Sequence, residues 1–100
     1  MRTVNVDAPL LTMRGAKIMF DDSTQATFAL VVESAIQSDD QIDGVSKKLM
    51  AKRVIAKCVM GGEQTFNDDE VELILSSCDR AYKPIIFFAV DEVLSQDGKP

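Results

Sequence analysis

Apolar residues recur at helical spacing in four separate segments, and this pattern limits the possible folds more than any other feature of the sequence. Residues 24–37 give the clearest example. Their single stripe consists of Phe28, Val31, Val32, Ala35 and Ile36. Residues 45–60, residues 67–80 and the segment after Pro84 have related patterns. The sequence therefore predicts four short helices.

Local signals define the ends of these helices. Gly61 and Gly62 are predicted to end the second helix, because glycine readily adopts the conformation that follows a helix. Asn67 is the predicted N-cap of the third helix, and Glu70 follows at the spacing of a capping box. Pro84 suits the first turn of the fourth helix, where its missing N–H needs no partner.

The N-terminal segment has an extended pattern instead. Residues 10–13 and 17–20 are β-compatible runs, and residues 14–16 between them include a glycine, which suits a hairpin. A lone hairpin is only marginally stable in water, so it is expected to lie on the helices. Ser23 or Thr24 is the expected cap of the first helix.

The predicted fold class is α+β and mostly helical, with an N-terminal β-hairpin packed on about four short α-helices. One hundred residues are enough for one domain. The predicted division of this single domain, residues 1–100, is a hairpin region at 1–23, a helical region at 24–95 and a frayed polar tail at 96–100.

The second and fourth helices carry more apolar surface than one small core needs. The second has two nearly opposite apolar faces, and the fourth is apolar around most of its circumference. The candidate interface residues are Leu49, Met60, Ile86, Phe87, Val90 and Leu94. We expect this surface to bind another protein or a second copy of the chain. The alternative is that the fourth helix lies at the centre of the bundle.

Charge indicates which partners to expect. The net charge is −5, and five of the eleven basic residues lie in the second helix. These five are Lys47, Lys48, Lys52, Arg53 and Lys57. They fall on two flanks of the helix, whereas a surface that binds nucleic acid has its basic residues on one stripe. We therefore expect no nucleic-acid partner. The candidate charged surface comprises Lys52 and Arg53 with the loop residues Asp39 and Asp40, and the bases are expected to pair with loop carboxylates.

The sequence offers little for catalysis. It contains no histidine, which removes the commonest general base and metal ligand. Gly61 and Gly62 have no phosphate-binding context, and Asp39, Asp43 and Gly44 do not have the spacing of a calcium loop. We predict a protein that is not an enzyme and that needs no cofactor or metal.

Two further features bear on the compartment. Cys58 and Cys78 lie within apolar helical patterns, which is typical of reduced, buried thiols, although a disulfide between the two helices stays possible. The N-terminus has no apolar signal segment, and the longest apolar run, residues 85–90, is too short to cross a membrane. We expect a cytoplasmic protein with no membrane partner.

Several short segments, taken in order, give the chain a resemblance to a group of proteins. The segments are Asp-Ala-Pro-Leu-Leu (7–11), Gly15, a helix opening near 24–27, Gly-Val-Ser-Lys-Lys (44–48), Ile-Ala-Lys-Cys-Val-Met-Gly-Gly (55–62), Asn-Asp-Asp-Glu-Val (67–71) and Tyr-Lys-Pro-Ile-Ile (82–86). This order resembles small accessory proteins of tailed bacteriophages and prophages. The resemblance implies a phage accessory role in the host cytoplasm or the virion, and it supplies no functional residues.

Two functions fit this resemblance. The first is a non-catalytic protein in assembly or structure of the virion head or tail, which self-associates and binds another phage protein. The alternative is a phage-encoded inhibitor of a host factor, an anti-host or anti-defence protein, acting through an acidic surface. Neighbouring genes would separate the two: head and tail genes favour the first, and an early operon favours the second.

Overall fold

The computed structural model describes residues 2–95, and within that range the chain forms two strands and four helices. In chain order these are β1 (Arg2–Asn5), α1 (Phe28–Gln37), α2 (Val45–Met60), β2 (Glu63–Phe66), α3 (Asp68–Ala81) and α4 (Pro84–Leu94). The predicted fold class, α+β and mostly helical, is confirmed. The tail predicted at 96–100 lies outside the described residues.

The two strands form an antiparallel sheet that joins distant parts of the chain. Arg2 pairs with Phe66 and Asn5 pairs with Glu63. The N–H of Val6 continues the pairing by donating to the carbonyl of Gly62 over 2.9 Å. Strand β2 was not predicted from the sequence. It begins directly after the two glycines, which end α2 as expected and turn the chain back toward the N-terminus.

The predicted N-terminal turn is present within a larger arrangement. Leu11 and Lys17 form an antiparallel bridge, and the N–H of Thr12 donates to the carbonyl of Ala16 over 2.8 Å. A third extended piece, at residues 24–27, completes the arrangement. Its hydrogen bonds join Leu10, Ile18 and Ala26, whose side chains are all buried. The hairpin thus packs on the core through alternate residues.

These same hydrogen bonds explain why α1 begins later than predicted. The N-cap is Thr27, whose hydroxyl accepts from the N–H of Leu30, and not Ser23 or Thr24. Because the N–H of Ala26 donates to the carbonyl of Ile18, the backbone before Thr27 is held in extended form. The other expected signals are confirmed: Asn67 caps α3, and Pro84 lies in the first turn of α4.

Helices α1 and α3 form the middle of the domain. Helix α2 packs against both of them, and α4 packs against α3 and β1. The aromatic centre of the core is the pair Phe28 and Phe66, whose ring centroids lie 6.1 Å apart. Because α2 and α4 each contact the core through only part of their surface, each leaves one face exposed to solvent.

Candidate protein-binding surfaces

The outer face of α2 is an apolar stripe that runs along the whole helix and contains one lysine. Its members share a spacing of four, three, four and three residues, which places them on one side of the helix. They are Val45, Leu49, Lys52, Ala56 and Val59, all exposed, with Met60 beside the last. Leu49 is 52% exposed and Met60 is 77% exposed. Both predicted interface residues of this helix are therefore accessible to a partner.

In α4 the structure corrects the predicted interface. Val90 and Leu94 are fully buried and belong to the core, so they cannot contact a partner. Ile86 and Phe87 are partly buried against the same core. The reason is the packing of α4 on α3 and β1, which covers that side of the helix. The alternative that α4 simply lies in the core is thus correct for this side only.

The exposed side of α4 carries two large apolar residues that the sequence analysis did not select. Ile85 is 49% exposed and Phe88 is 51% exposed. Glu92 follows one turn after Phe88 on the same side and is exposed too. One sequence signal distinguishes these positions from Ile86 and Phe87: Glu92 lies four residues after Phe88 and seven after Ile85, which places all three on one side of the helix. The prediction treated α4 as apolar around most of its circumference and did not use this spacing.

A groove separates this side of α4 from the N-terminal turn. Its volume is about 560 Å³. The N-terminal wall contains Leu11 and Met13, both exposed, and the helix contributes Phe88, Asp91 and Glu92. The groove therefore combines an apolar floor with two carboxylates, and it extends the exposed apolar surface of α4.

Two basic residues of α2 lie close to an unexpected carboxylate. Glu70, in the first turn of α3, is only 2% exposed. Its Oε1 accepts from the N–H of Asn67 over 2.9 Å and from Nζ of Lys57 over 3.2 Å. Nε of Arg53 lies 3.9 Å from Oε2 of Glu70. The expectation that these bases pair with loop carboxylates is wrong for Lys57 and Arg53, because the buried capping carboxylate is nearer.

Lys57 makes further contacts that fix its position. Its Nζ donates to the carbonyl of Thr65 over 2.6 Å and lies 5.2 Å from the ring centre of Phe66. The sequence identified Glu70 as a capping residue but gave no signal for its pairing with Lys57. This contact depends on the turn between α2 and β2, which returns the chain past the end of α2.

Of the four residues of the predicted charged surface, three are exposed and one is covered. Lys52, Arg53 and Asp40 are exposed, as that prediction requires. The side chain of Asp39 is covered instead: Nε of Arg80 donates to Oδ1 over 3.1 Å, and the Ser77 hydroxyl donates to Oδ2 over 2.8 Å. The hydrogen bonds from Arg80 are the main reason that the pKa of Asp39 falls from its ordinary value of 3.8 to about 2. Asp39 is thus unavailable to a partner.

The two cysteines lie inside the core of the described structure. Cys58 and Cys78 are free and buried, and burial raises the pKa of each thiol to about 12. Within residues 2–95, no group of three or more potential metal ligands is found. In the same range, no helix has both the length and the apolar character that crossing a membrane requires.

The surfaces on α2 and α4 are therefore the features of this structure that call for a functional explanation. Large exposed apolar side chains on one helix face are typical of surfaces that bind another protein. Comparison of the chain with protein-family models, with curated proteins and with solved structures found no match.

Proposed function

We propose that this protein is a non-catalytic accessory protein that acts by self-association and by binding another protein. The observation that carries the proposal is the exposed apolar stripe on α2, which includes Val45, Leu49 and Val59. A helix of a small domain normally directs such a stripe to the core and leaves charged residues outside. Here α2 already contributes Ala51, Val54 and Cys58 to the core, and the second stripe lies outside that core.

The setting that we propose is the assembly or structure of a phage head or tail, in the host cytoplasm or in the virion. Its support is the resemblance to phage accessory proteins, together with the stripe on α2. Assembly proteins must bind repeated copies of a partner, and an exposed apolar surface serves that need. The alternative, inhibition of a host factor through an acidic surface, loses part of its support because Arg80 neutralises Asp39.

Molar mass across a concentration series tests the self-association. Light scattering coupled to gel filtration should give a mass that rises above the 11.0 kDa of one chain as concentration increases. Val59→Gln should shift the mass toward one chain, because it places a polar amide in the stripe. Met19→Gln is the matched control, since Met19 is also an exposed apolar residue but lies outside α2 and α4.

Affinity capture tests the partner binding. Tagged protein and its Val59→Gln variant should be recovered from phage-infected or lysogenic cells, and a specific protein should accompany only the unmodified form. A mass of one chain at every concentration, together with identical captured proteins for both forms, would contradict the proposal.

A further inference from the structure

The exposed stripes of α2 and α4 differ in charge. The stripe of α2 contains Lys52 at its centre, and Lys48 and Arg53 lie on its two sides. The stripe of α4 consists of Ile85, Phe88 and Glu92, and Asp91 lies beside it. Each face is therefore apolar with charges of one sign, basic on α2 and acidic on α4.

Among residues 2–95, neither Lys52 nor Glu92 lies within ion-pair distance of a residue of opposite charge. Both are exposed, at positions where apolar neighbours favour a contact. Burying an unpaired charge is costly, so a surface that covers the α2 stripe needs a negative charge opposite Lys52, and one that covers the α4 stripe needs a positive charge opposite Glu92.

Symmetric pairing of two α2 helices is disfavoured by the position of Lys52. This residue is the midpoint of the stripe from Val45 to Val59. In a two-fold pair, whether the helices run parallel in register or antiparallel, Lys52 would face Lys52 of the second copy. Two like charges in direct contact oppose association, so this arrangement is the wrong one for the stripe.

Symmetric pairing of two α4 helices is no better. In an antiparallel pair centred on Phe88, Glu92 would face Ile85 of the second copy. A parallel pair in register would place two glutamates against each other. The acidic stripe therefore needs a basic partner, which the α2 stripe of another copy provides.

We propose that α4 of one copy docks on α2 of another copy, with Glu92 facing Lys52. This inference rests on the self-association proposed above and specifies its geometry. In the antiparallel arrangement Phe88 packs over Ala56, whose small side chain leaves space for the ring, and Ile85 packs beside Val59. The groove wall formed by residues 11–13 covers the edge of the docked helix.

The lengths of the two stripes are compatible. At a rise of 1.5 Å per residue, the α2 stripe spans about 21 Å and the α4 stripe spans about 10 Å. The shorter stripe thus fits on the C-terminal half of the longer one. Because the two surfaces are different, a pair of copies joined by a single contact retains one unoccupied α2 and one unoccupied α4, and association continues to a closed ring or an open filament. A two-fold pair makes the contact twice and closes at two copies.

Charge reversal tests the contact between Lys52 and Glu92. The variants are Lys52→Glu, Glu92→Lys and the double variant that carries both. Sedimentation velocity at low ionic strength should show that each single variant associates about tenfold more weakly than the unmodified protein. The double variant should return close to the unmodified value, because the pair is restored with its signs exchanged.

Mixing the two single variants gives an independent measurement. The α2 stripe of the Lys52→Glu variant, now acidic at its centre, would face the α4 stripe of the Glu92→Lys variant, now basic. The reciprocal contact in the same mixture would be the original one. An equimolar mixture should therefore associate much more strongly than either variant alone. Lys47→Glu is the matched control, because Lys47 lies on α2 but outside its stripe, and it should leave association unchanged.

The outcomes separate this inference from the proposed function. If the unmodified protein stays at one chain under all conditions, the docking of α4 on α2 and the self-association part of the proposed function both fail, and the capture experiment alone decides the partner-binding part. If it associates but the double variant and the mixture are as weak as the single variants, only the docking of α4 on α2 is overturned. Stronger association of Lys52→Glu with unmodified protein than of either alone would show a symmetric α2 pair and would overturn it too.

Discussion

The ammonium nitrogen of Lys57 lies 3.2 Å from Oε1 of Glu70, and this contact joins the last turn of α2 to the first turn of α3. Glu70 is buried, and Lys57 is only partly exposed. The same carboxylate completes the capping box of α3 by accepting from the N–H of Asn67. One side chain therefore stabilises both the start of a helix and the packing of two helices.

Removing the lysine should destabilise the protein more than its exposure suggests. Lys57→Met leaves the buried carboxylate of Glu70 with only the more distant Arg53 as a cation. We expect a loss of about 2–3 kcal/mol in the free energy of unfolding, below the roughly 3–5 kcal/mol of a fully buried pair. Combining it with Glu70→Gln should recover part of the loss, because the amide oxygen can still accept from Asn67. Urea titration measures both, with Lys47→Met as the exposed control. Additive losses in the double variant would contradict the coupling.

The cap of α3 gives a second prediction. Oδ1 of Asn67 accepts from the N–H of Glu70 over 2.8 Å. Asn67→Ala should lower the free energy of unfolding by about 0.5–2 kcal/mol, whereas Asn67→Ser should nearly preserve it, since a hydroxyl can accept the same bond. Thermal or urea unfolding of the three proteins is the measurement. Equal midpoints would indicate that the side chain of Asn67 contributes nothing to α3.

Some of this structure could be predicted because the signals are local. The ends of α2, α3 and α4 follow from Gly61, Asn67 and Pro84, each of which acts within a few residues of itself. The exposed stripe on α2 could also be found, because its two apolar faces are separated by charged residues. In these places the residues that determine the structure lie within a few positions of one another in the sequence, so the sequence pattern shows them.

The rest depended on contacts between distant residues. Nothing near Arg2 indicates pairing with Phe66, and nothing near Asp39 indicates that Arg80 covers it. In α4 only Glu92 marks the exposed face, and the apolar residues around the rest of the helix outweighed this single signal. The packing on α3 and β1 separates a buried residue such as Val90 from the exposed ones. The α4 part of the predicted interface therefore needed the tertiary structure for its correction.

The ion pair of Asp39 and Arg80 predicts a response to acid. Arg80 lowers the pKa of Asp39 to about 2 from 3.8, so the folded state binds this proton less readily than the unfolded state. Its stabilising contribution is complete above about pH 4 and is lost as the pH falls toward about 2. Asp39→Asn should lower the unfolding temperature at neutral pH and reduce its decline between these values. Asp40→Asn, at an exposed neighbour, is the control, and equal acid sensitivity of all three proteins would count against this role.

The two thiols should be inert in the native state. Burial raises the pKa of Cys58 and of Cys78 to about 12, which leaves almost no thiolate at about pH 8. Neither should react with iodoacetamide until the protein unfolds. Val59→Cys is the matched control, because it adds an exposed thiol beside Cys58, and it should react at once. Rapid labelling of an unmodified cysteine under native conditions would contradict the buried positions.

The pairing of β1 with β2 has a consequence for synthesis. Strand β1 leaves the ribosome before its partner β2, which emerges only after residues 6–62 have been made. Until then its backbone donors and acceptors stay open to water or to other nascent chains, and a long loop must close before they are satisfied. Strand β1 is thus made early but gains its hydrogen-bond partners late, and the sheet forms only after translation has passed β2.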